Sequence, residues 1–389
     1  MHLPASRYLR SGALLSILGL ALLTGCQHLS SPENESDPVI LSFATVGDSR
    51  EEPLAAGEMR DLSAQDAIWL QNSRGWSRII DSISAQHANM LFFNGDMIMG
   101  YGKAEVPKNT STVKDIIDSD LVRHYREFAF WRGMVARLFE NGTYVVPVPG
   151  NHEVQYKKAG KIAVKENEDA WRANMGDLIL DRSRFEHILG TPPAAFNVNN
   201  HPGDEDGLTT DQSQLSYSFD VKGIHFAVIN TDAVGKNSHA PLAWLTSDLA
   251  AAKARGMQHF FIFGHKPAYT YHFKGADPKM SAGFEGDPAH QQAFWGLIEQ
   301  YGATYFAGHE HIFNLSQPGK DKGGSAWQVM VGSGGSPFEA TQPTGLDTDR
   351  MYAWAQVKVR ASGKVDIDLW GFDDHYGPTQ HITRLNLPH

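Results

Sequence analysis

The chain has 389 residues, with 34 lysines and arginines against 44 aspartates and glutamates, and its formal net charge is −10. This length suits one large α/β domain or two smaller ones, and the acidic balance disfavours general binding to nucleic acid or to anionic membranes. The single cysteine excludes an intrachain disulfide.

The first thirty residues or so have the pattern of a targeting segment. Arg7 and Arg10 precede the apolar stretch 13–23, which is too short for a membrane-spanning helix. The stretch ends in Leu23-Thr24-Gly25-Cys26, which resembles the lipobox of bacterial lipoproteins. That resemblance implies that residues 1–25 are a signal peptide and that Cys26 is lipidated. An ordinary signal peptide with a chance cysteine, or an uncleaved anchor, stays open.

Residues 26–38 are polar after the cysteine and predict a flexible tether. Several acyl chains hold a protein firmly at a bilayer. Gln27, by resemblance to enteric sorting rules, favours the outer membrane, with the domain facing the periplasm. We expect residues 39–389 to form a single domain, because the site motifs described next extend over most of it and no second linker interrupts it.

Five short apolar runs, rich in β-branched and aromatic residues, predict buried strands at 40–46, 91–93, 144–149, 260–263 and 305–307. Each run leads into a polar cluster. The clusters are Gly47-Asp48-Ser49-Arg50, Asn94-Gly95-Asp96, Gly150-Asn151-His152-Glu153, Gly264-His265 and Gly308-His309-Glu310-His311. Because ligand sites in open α/β sheets form beyond the carboxyl ends of strands, the clusters predict one two-metal site.

The remaining segments predict helical crossovers followed by a β-rich tail. Helices are expected at 77–88, 113–139 and 241–254. Further strands are expected at 217–221 and 224–230, joined by a turn at Lys222-Gly223, and at 328–332, 353–359 and 365–370. Two stretches near 157–214 and 268–290 interrupt this order, and we expect them to be insertions that shape specificity at the mouth of the site.

The ordered set of motifs resembles the calcineurin-like metallophosphoesterases, from about Phe43 to Phe313. A lone Gly-Asp is uninformative, whereas five motifs in this order are specific. The resemblance implies an α/β fold, a four-layer αββα sandwich of two mixed β-sheets flanked by helices. It also implies a metal-dependent phosphoester hydrolase, either a phosphatase or a phosphodiesterase, with a dinuclear metal centre and a metal-activated hydroxide.

The resemblance further implies a ligand set, in which the carboxylate of Asp96 bridges two metals. The second metal would also bind Asn151, His265 and His309. The first metal would also bind Asp48 and His311. Mixed oxygen and nitrogen ligands suit manganese, iron or zinc and do not choose among them.

Arg50 departs from the family pattern, which usually has a histidine two residues after the first aspartate. A guanidinium cannot donate a lone pair to a metal, so the first metal loses a ligand and should bind more weakly. Arg50 either pairs with surface acids or holds a substrate phosphate oxygen. The purple acid phosphatase branch uses a tyrosine where this chain has Met99, and nearby Tyr101 has no role in either pattern.

His152 and Asp96 are the expected catalytic residues, and Asn151 is expected to bind substrate together with Arg50. His152 would protonate the leaving oxygen or stabilise the phosphorane-like charge, and a buried structural histidine is the alternative. Glu153 and Asp232 are predicted to orient the rings of ligating histidines. The expected partners are a phosphoester substrate, either a small molecule or a lipid head group, and a membrane reached through the lipid anchor. The competing hypothesis is a catalytically impaired, lipid-anchored envelope binding protein, with Arg50 as its support.

Overall fold

The computed structural model describes residues 36–50, 69–108, 110–271, 283–336, 351–373 and 375–387. Val39–His389 form one compact unit. The predicted signal peptide, Cys26 and most of the predicted tether lie outside the described residues. In the part of the chain that is described, no helix combines the length and the apolar character needed to cross a bilayer.

The strands are β1 (Val39–Val46), β2 (Met90–Asn94), β3 (Tyr144–Val148), β4 (Gln155–Tyr156), β5 (Ile162–Ala163), β6 (Tyr217–Val221), β7 (Ile224–Val228), β8 (Asp232–Ala233), β9 (Lys236–Asn237), β10 (His259–Phe263), β11 (Thr304–Ala307), β12 (Phe313–Ser316), β13 (Trp327–Val331), β14 (Met351–Arg360), β15 (Val365–Asp373) and β16 (Gln380–Leu387). The helices are α1 (Trp69–Ala85), α2 (Val113–Ile117), α3 (Asp120–Glu140), α4 (Asn151–Val154), α5 (Lys165–Met175), α6 (Arg182–Leu189), α7 (Leu242–Ala254) and α8 (Pro288–Tyr301).

Two mixed sheets contain most of these strands. The first has the order β16-β15-β14-β1-β2-β3, with β1, β2 and β3 parallel and β14 antiparallel to β1. The second has the order β12-β13-β11-β10-β7-β6, with β7, β10, β11 and β13 parallel. Strands buried on both faces carry nearly continuous apolar sequence, which is why the runs of β2 and β10 lack alternation.

The faces of the two sheets pack together through aromatic side chains. Phe43 of β1 makes edge contacts at ring-centroid distances between 5.1 and 5.8 Å, and its partners are Phe92, Phe226, Phe261, Phe263 and Phe306. Trp76 of α1 and Trp131 of α3 cover the outer face of the first sheet, while Trp244 of α7 and Phe294 of α8 cover that of the second. The four-layer αββα prediction is therefore confirmed.

Several helices begin or end at other residues than the sequence predicted. The region 113–139 is divided into α2 and α3 because the side chain of Ser119 accepts the backbone N–H of Val122 and begins a new helix. The helix expected at 77–88 already begins at Trp69 and ends at Ala85. Helix α8 was not predicted, although its N-cap Asp287, Pro288 and terminal Gly302 are recognisable helix signals.

The stretch 157–214, expected to be an insertion at the site, also contributes to the core. Trp171 of α5 and Phe185 of α6 are buried within the two apolar clusters that pack on the first sheet. Its turn between β4 and β5 nevertheless lies next to the candidate site. Of the stretch 268–290, residues 272–282 lie outside the described part.

Candidate metal centre

The polar clusters of both sheets meet at one place. His265 follows β10 in the second sheet, and its Nδ1 lies 2.7 Å from the backbone oxygen of Asn94, the last residue of β2 in the first sheet. The backbone N–H of His309 donates to Asp48 Oδ2 at 2.9 Å, which joins the end of β11 to the end of β1. The strand ends therefore bring together the residues that the sequence selected.

The backbone of this site is held in an uncommon conformation. The φ angles of Asp48, Arg50, Asp96, Tyr101 and His309 are 65°, 46°, 54°, 65° and 73°. Non-glycine residues rarely adopt this left-handed region, and such positions concentrate at functional sites. Hydrogen bonds hold the turns in place, because Asp48 N–H donates to Gly95 O and Arg50 N–H donates to Asp96 O, both at 2.9 Å.

Four lone-pair donors converge in what we call the tight half of the site. His265 Nε2 lies 2.9 Å from Asn151 Oδ1, 3.1 Å from Asp96 Oδ1 and 3.2 Å from His309 Nδ1. Since the backbone oxygen of Asn94 only accepts, His265 Nδ1 carries a proton and leaves Nε2 its lone pair when the ring is neutral. The ligand atoms of Asp96, His265 and His309 all lie within 4.8 Å of one another. A cation held between these four side chains would bind lone pairs that otherwise point toward one another.

Asp48, His311, Arg50 and the second oxygen of Asp96 form the open half of the site. His311 Nε2 and Asp48 Oδ1 are 3.7 Å apart. Asp48 Oδ1 and Asp96 Oδ2 are buried and have no hydrogen-bond partner among the residues that the structure describes. Buried carboxylate oxygens without donors are costly, which fits a position for a cation. The open half thus offers three ligand atoms: Asp48 Oδ1, Asp96 Oδ2 and His311 Nε2.

Arg50 points toward the site. Its Nε lies 3.7 Å from Asp96 Oδ2, and only 15% of its side chain is exposed. This location agrees with the prediction that the guanidinium faces the site. Its positive charge lies beside the carboxylate oxygen that would have to bridge to a metal in the open half, so it opposes a cation there.

His152 lies beside Asp96 and under Tyr101. Its backbone N–H donates to Asp96 Oδ1 at 3.0 Å, and its Nδ1 donates to the backbone oxygen of Met99 at 2.6 Å. The Nε2 therefore faces the site, 3.6 Å from Asp96 Oδ2. Burial lowers the pKa of His152 to about 3, which favours the neutral ring in this protein environment.

Tyr101 is a site residue to which the sequence assigned no role. Its hydroxyl accepts a 2.6 Å hydrogen bond from Asn151 Nδ2, so the amide oxygen of Asn151 turns toward His265. Its ring centroid lies 3.8 Å from that of His152. Tyr101 therefore positions two of the predicted site residues at once. Motif spacing does not reveal this contact, because Tyr101 and Asn151 are distant in sequence.

Glu153 and Asp232 do not orient histidine rings as predicted. The Glu153 carboxylate accepts backbone N–H groups of Asp96, Met97, Ile98 and Gly150 at 2.7–3.2 Å, so it fixes the turn that presents Asp96. Burial raises the pKa of Glu153 to about 7, and the charge of Asp96 adds to the increase. Asp232 instead contacts Lys266 Nζ at 2.9 Å and Gln155 Nε2 at 3.0 Å.

Comparison of sequences identifies no relative for this chain: no protein-family model and no curated protein matches it. Comparison of structures does find neighbours. A dimetal phosphatase from Danio rerio has a TM-score of 0.53 at 12% sequence identity, and the match covers 90% of this chain and 99% of that one. A purple acid phosphatase from yellow lupin (Lupinus luteus) seeds has a TM-score of 0.51 at 12% identity, with 89% of this chain and 53% of that chain covered.

At this identity the likeness concerns the fold. The mixed α/β sandwich of this chain is similar in architecture to these two phosphatase structures. The chain spans about half the length of the lupin phosphatase, so the other half of that protein has no counterpart in this chain's match.

Proposed function

We propose that the protein is a metal-dependent phosphoester hydrolase. The observation that carries the proposal is the convergence of Asp96 Oδ1, Asn151 Oδ1 and His309 Nδ1 on His265 Nε2 within 3.2 Å. Four side chains that can each offer a lone pair to a cation converge on one point, and the two neighbouring folds belong to phosphatases.

The tight half would hold one metal ion through Asp96, Asn151, His265 and His309. The open half would hold a second through Asp48, Asp96 and His311, more weakly because Arg50 supplies charge in place of a ligand. When bound, such ions acidify water and polarise phosphate oxygens, which is the chemistry that phosphoester hydrolysis needs. Manganese, iron and zinc all suit this donor set.

The side chains around the metal ligands would act on the substrate. The guanidinium of Arg50 would hold a phosphate oxygen, since it is fork-shaped and always charged, and the amide of Asn151 would assist on the same group. His152 Nε2 faces the site, and the neutral ring keeps its one proton on Nδ1. Nε2 would therefore first accept a proton, from water or from a protonated phosphate oxygen of the substrate, and then pass it to the leaving oxygen. The carboxylate of Asp96 lies near the rings of both His152 and His265, and it would stabilise the charged form of His152 during that transfer.

Hydrolysis of a chromogenic aryl phosphate monoester and of its diester, side by side with added manganese, tests the proposal. Asp96→Asn is the control, because it removes the charge shared by both halves and keeps the shape. Turnover of one ester that disappears in Asp96→Asn supports the enzyme and identifies the substrate class. Absence of turnover with metal bound would favour the impaired binding protein, with Arg50 as the disabling residue.

We also propose that the mature protein is a lipoprotein held at the cell envelope through Cys26, with the domain facing the periplasm from the outer membrane. The support is the sequence pattern that ends in Leu23-Thr24-Gly25-Cys26. Labelling with a palmitate analogue and fractionation of the membranes tests it. Label in the wild-type chain but not in Cys26→Ser is expected, and equal label in both would contradict it.

A further inference from the structure

A basic cavity lies beside the candidate metal centre. It has a volume of about 310 Å³, and its walls include Tyr101, Asp120, Arg123, Tyr156, Lys157 and Lys158. None of these residues belongs to the metal-ligand set. The cavity is formed where the turn between β4 and β5 approaches the beginning of α3.

Tyr101 is the wall that the cavity shares with the metal centre. Its hydroxyl binds Asn151 and its ring packs on His152, as described above. On its other side the backbone oxygen of Tyr101 accepts the N–H of Lys157 at 3.0 Å. A group bound in the cavity would therefore be one side chain away from a phosphate held at the metal centre.

The charge of the cavity differs in sign from that of the chain. Lys157, Lys158 and Lys161 lie within one short turn that has no acidic residue, whereas the whole chain has a net charge of −10. Lys161 Nζ lies 5.5 Å from the ring centroid of Tyr101. Within the described ranges, neither Lys157 nor Lys158 forms an ion pair, so both charges stay available to a ligand.

The other charged groups of the cavity are already engaged. The Nε of Arg123 contacts Glu127 Oε1 at 2.8 Å, and Glu127 is fully buried. Asp120 Oδ2 accepts the backbone N–H of Lys103 at 3.0 Å. Since Glu127 offsets the charge of Arg123, the charges left on the walls are one carboxylate, Asp120, and the two lysines, and their sum of +1 favours an anion.

We propose that this cavity binds a second phosphate group of the substrate, on the far side of Tyr101 from the phosphate that is cleaved. The inference rests on the proposed function for the cleaved phosphate. It makes the substrate class a molecule whose two phosphate groups are attached at separate positions of one carbon skeleton, such as a sugar bisphosphate. The lysines bind and position the substrate and take no part in the proton transfer.

The test compares the full-length chain in detergent with Lys157→Gln/Lys158→Gln. Lys320→Gln/Lys322→Gln is the matched control, since it removes the same charge from two exposed lysines of another turn. Three substrates are used: an aryl phosphate, a hexose 6-phosphate and the hexose 1,6-bisphosphate. Binding of the two hexose phosphates is also measured by calorimetry.

The wild-type chain should favour the bisphosphate over both monophosphates. Lys157→Gln/Lys158→Gln should raise KM and weaken calorimetric binding for the favoured compound by about tenfold, as expected for lost charge-assisted hydrogen bonds. Turnover of the aryl phosphate should stay within about twofold of wild type, because exposed substitutions leave a folded domain nearly unchanged. The control variant should behave like wild type.

Equal affinity for mono- and diphosphorylated compounds in the wild-type chain would overturn the inference, as would an equal loss in the two double variants. Failure of the proposed function has a different signature. In that case no phosphoester is hydrolysed, yet the calorimetric difference between wild type and Lys157→Gln/Lys158→Gln still decides whether the cavity binds the second phosphate.

Discussion

The two halves of the metal centre share Asp96 but are built differently. In the tight half the other ligand atoms lie 2.9–3.2 Å from His265 Nε2. Hydrogen bonds hold two of the ligands in place, from His265 to the backbone oxygen of Asn94 and from Asn151 to the hydroxyl of Tyr101. In the open half Asp48 and His311 are 3.7 Å apart, and a guanidinium occupies the neighbouring position. This difference in spacing and charge leads us to expect that the two halves bind metal unequally, with Arg50 lowering the affinity of the open half.

The largest expected difference is between His265→Ala and His311→Ala. Loss of His265 should weaken metal retention by more than about 100-fold, because loss of an outer hydrogen-bond partner alone costs 10–100-fold. Loss of His311 should leave the metal of the tight half in place. Metal analysis after dialysis measures both, and circular dichroism checks that both variants fold. Equal losses in the two variants would mean that the halves do not bind independently.

His152→Ala tests the proton transfer without changing either half. Hydrolysis of esters with poor leaving groups should fall by about 10²–10⁴-fold, while metal content stays at the wild-type level. Activated aryl esters need little protonation of the leaving oxygen and should be affected much less. If both ester classes lose activity equally, His152 does not act as the acid.

Tyr101→Phe tests the support of the tight half. Removal of the hydroxyl frees the amide of Asn151, and we expect metal affinity to fall by about 10–100-fold, with activity recovered at excess metal. Tyr125→Phe, on the exposed side of α3, is the matched control. Unchanged affinity in Tyr101→Phe would show that the hydrogen bond from Asn151 has no positioning role.

The smallest expected change is a gain in metal affinity of the open half in Arg50→His. This variant replaces a repelling charge by a ligand, so binding in the open half should tighten by about tenfold or more. Arg50→Gln removes the charge but adds no histidine ligand, and it should show a smaller gain. Metal titration followed by calorimetry separates the two variants. Two equally tight metals in the wild-type chain would contradict the unequal centre.

The sequence predicted the fold, and it predicted that the candidate site residues lie close together, because both depend on local patterns. Apolar runs that end in polar clusters mark parallel strands, and parallel strands place their ends together. The role of Tyr101 could not be predicted, since it depends on a turn that brings its hydroxyl to Asn151. The same holds for Glu153, which binds backbone N–H groups rather than a ring, and for the cavity beside Lys157, which forms only after β4 and β5 pair.

The most direct test of the central claim is a titration of manganese into the metal-stripped chain, with bound metal and aryl phosphate hydrolysis followed together. The account predicts that hydrolysis appears as the tight half fills and that Asp96→Asn shows neither tight binding nor turnover. Turnover that persists in the metal-stripped chain, unchanged by added manganese, would contradict a metal-dependent phosphoester hydrolase.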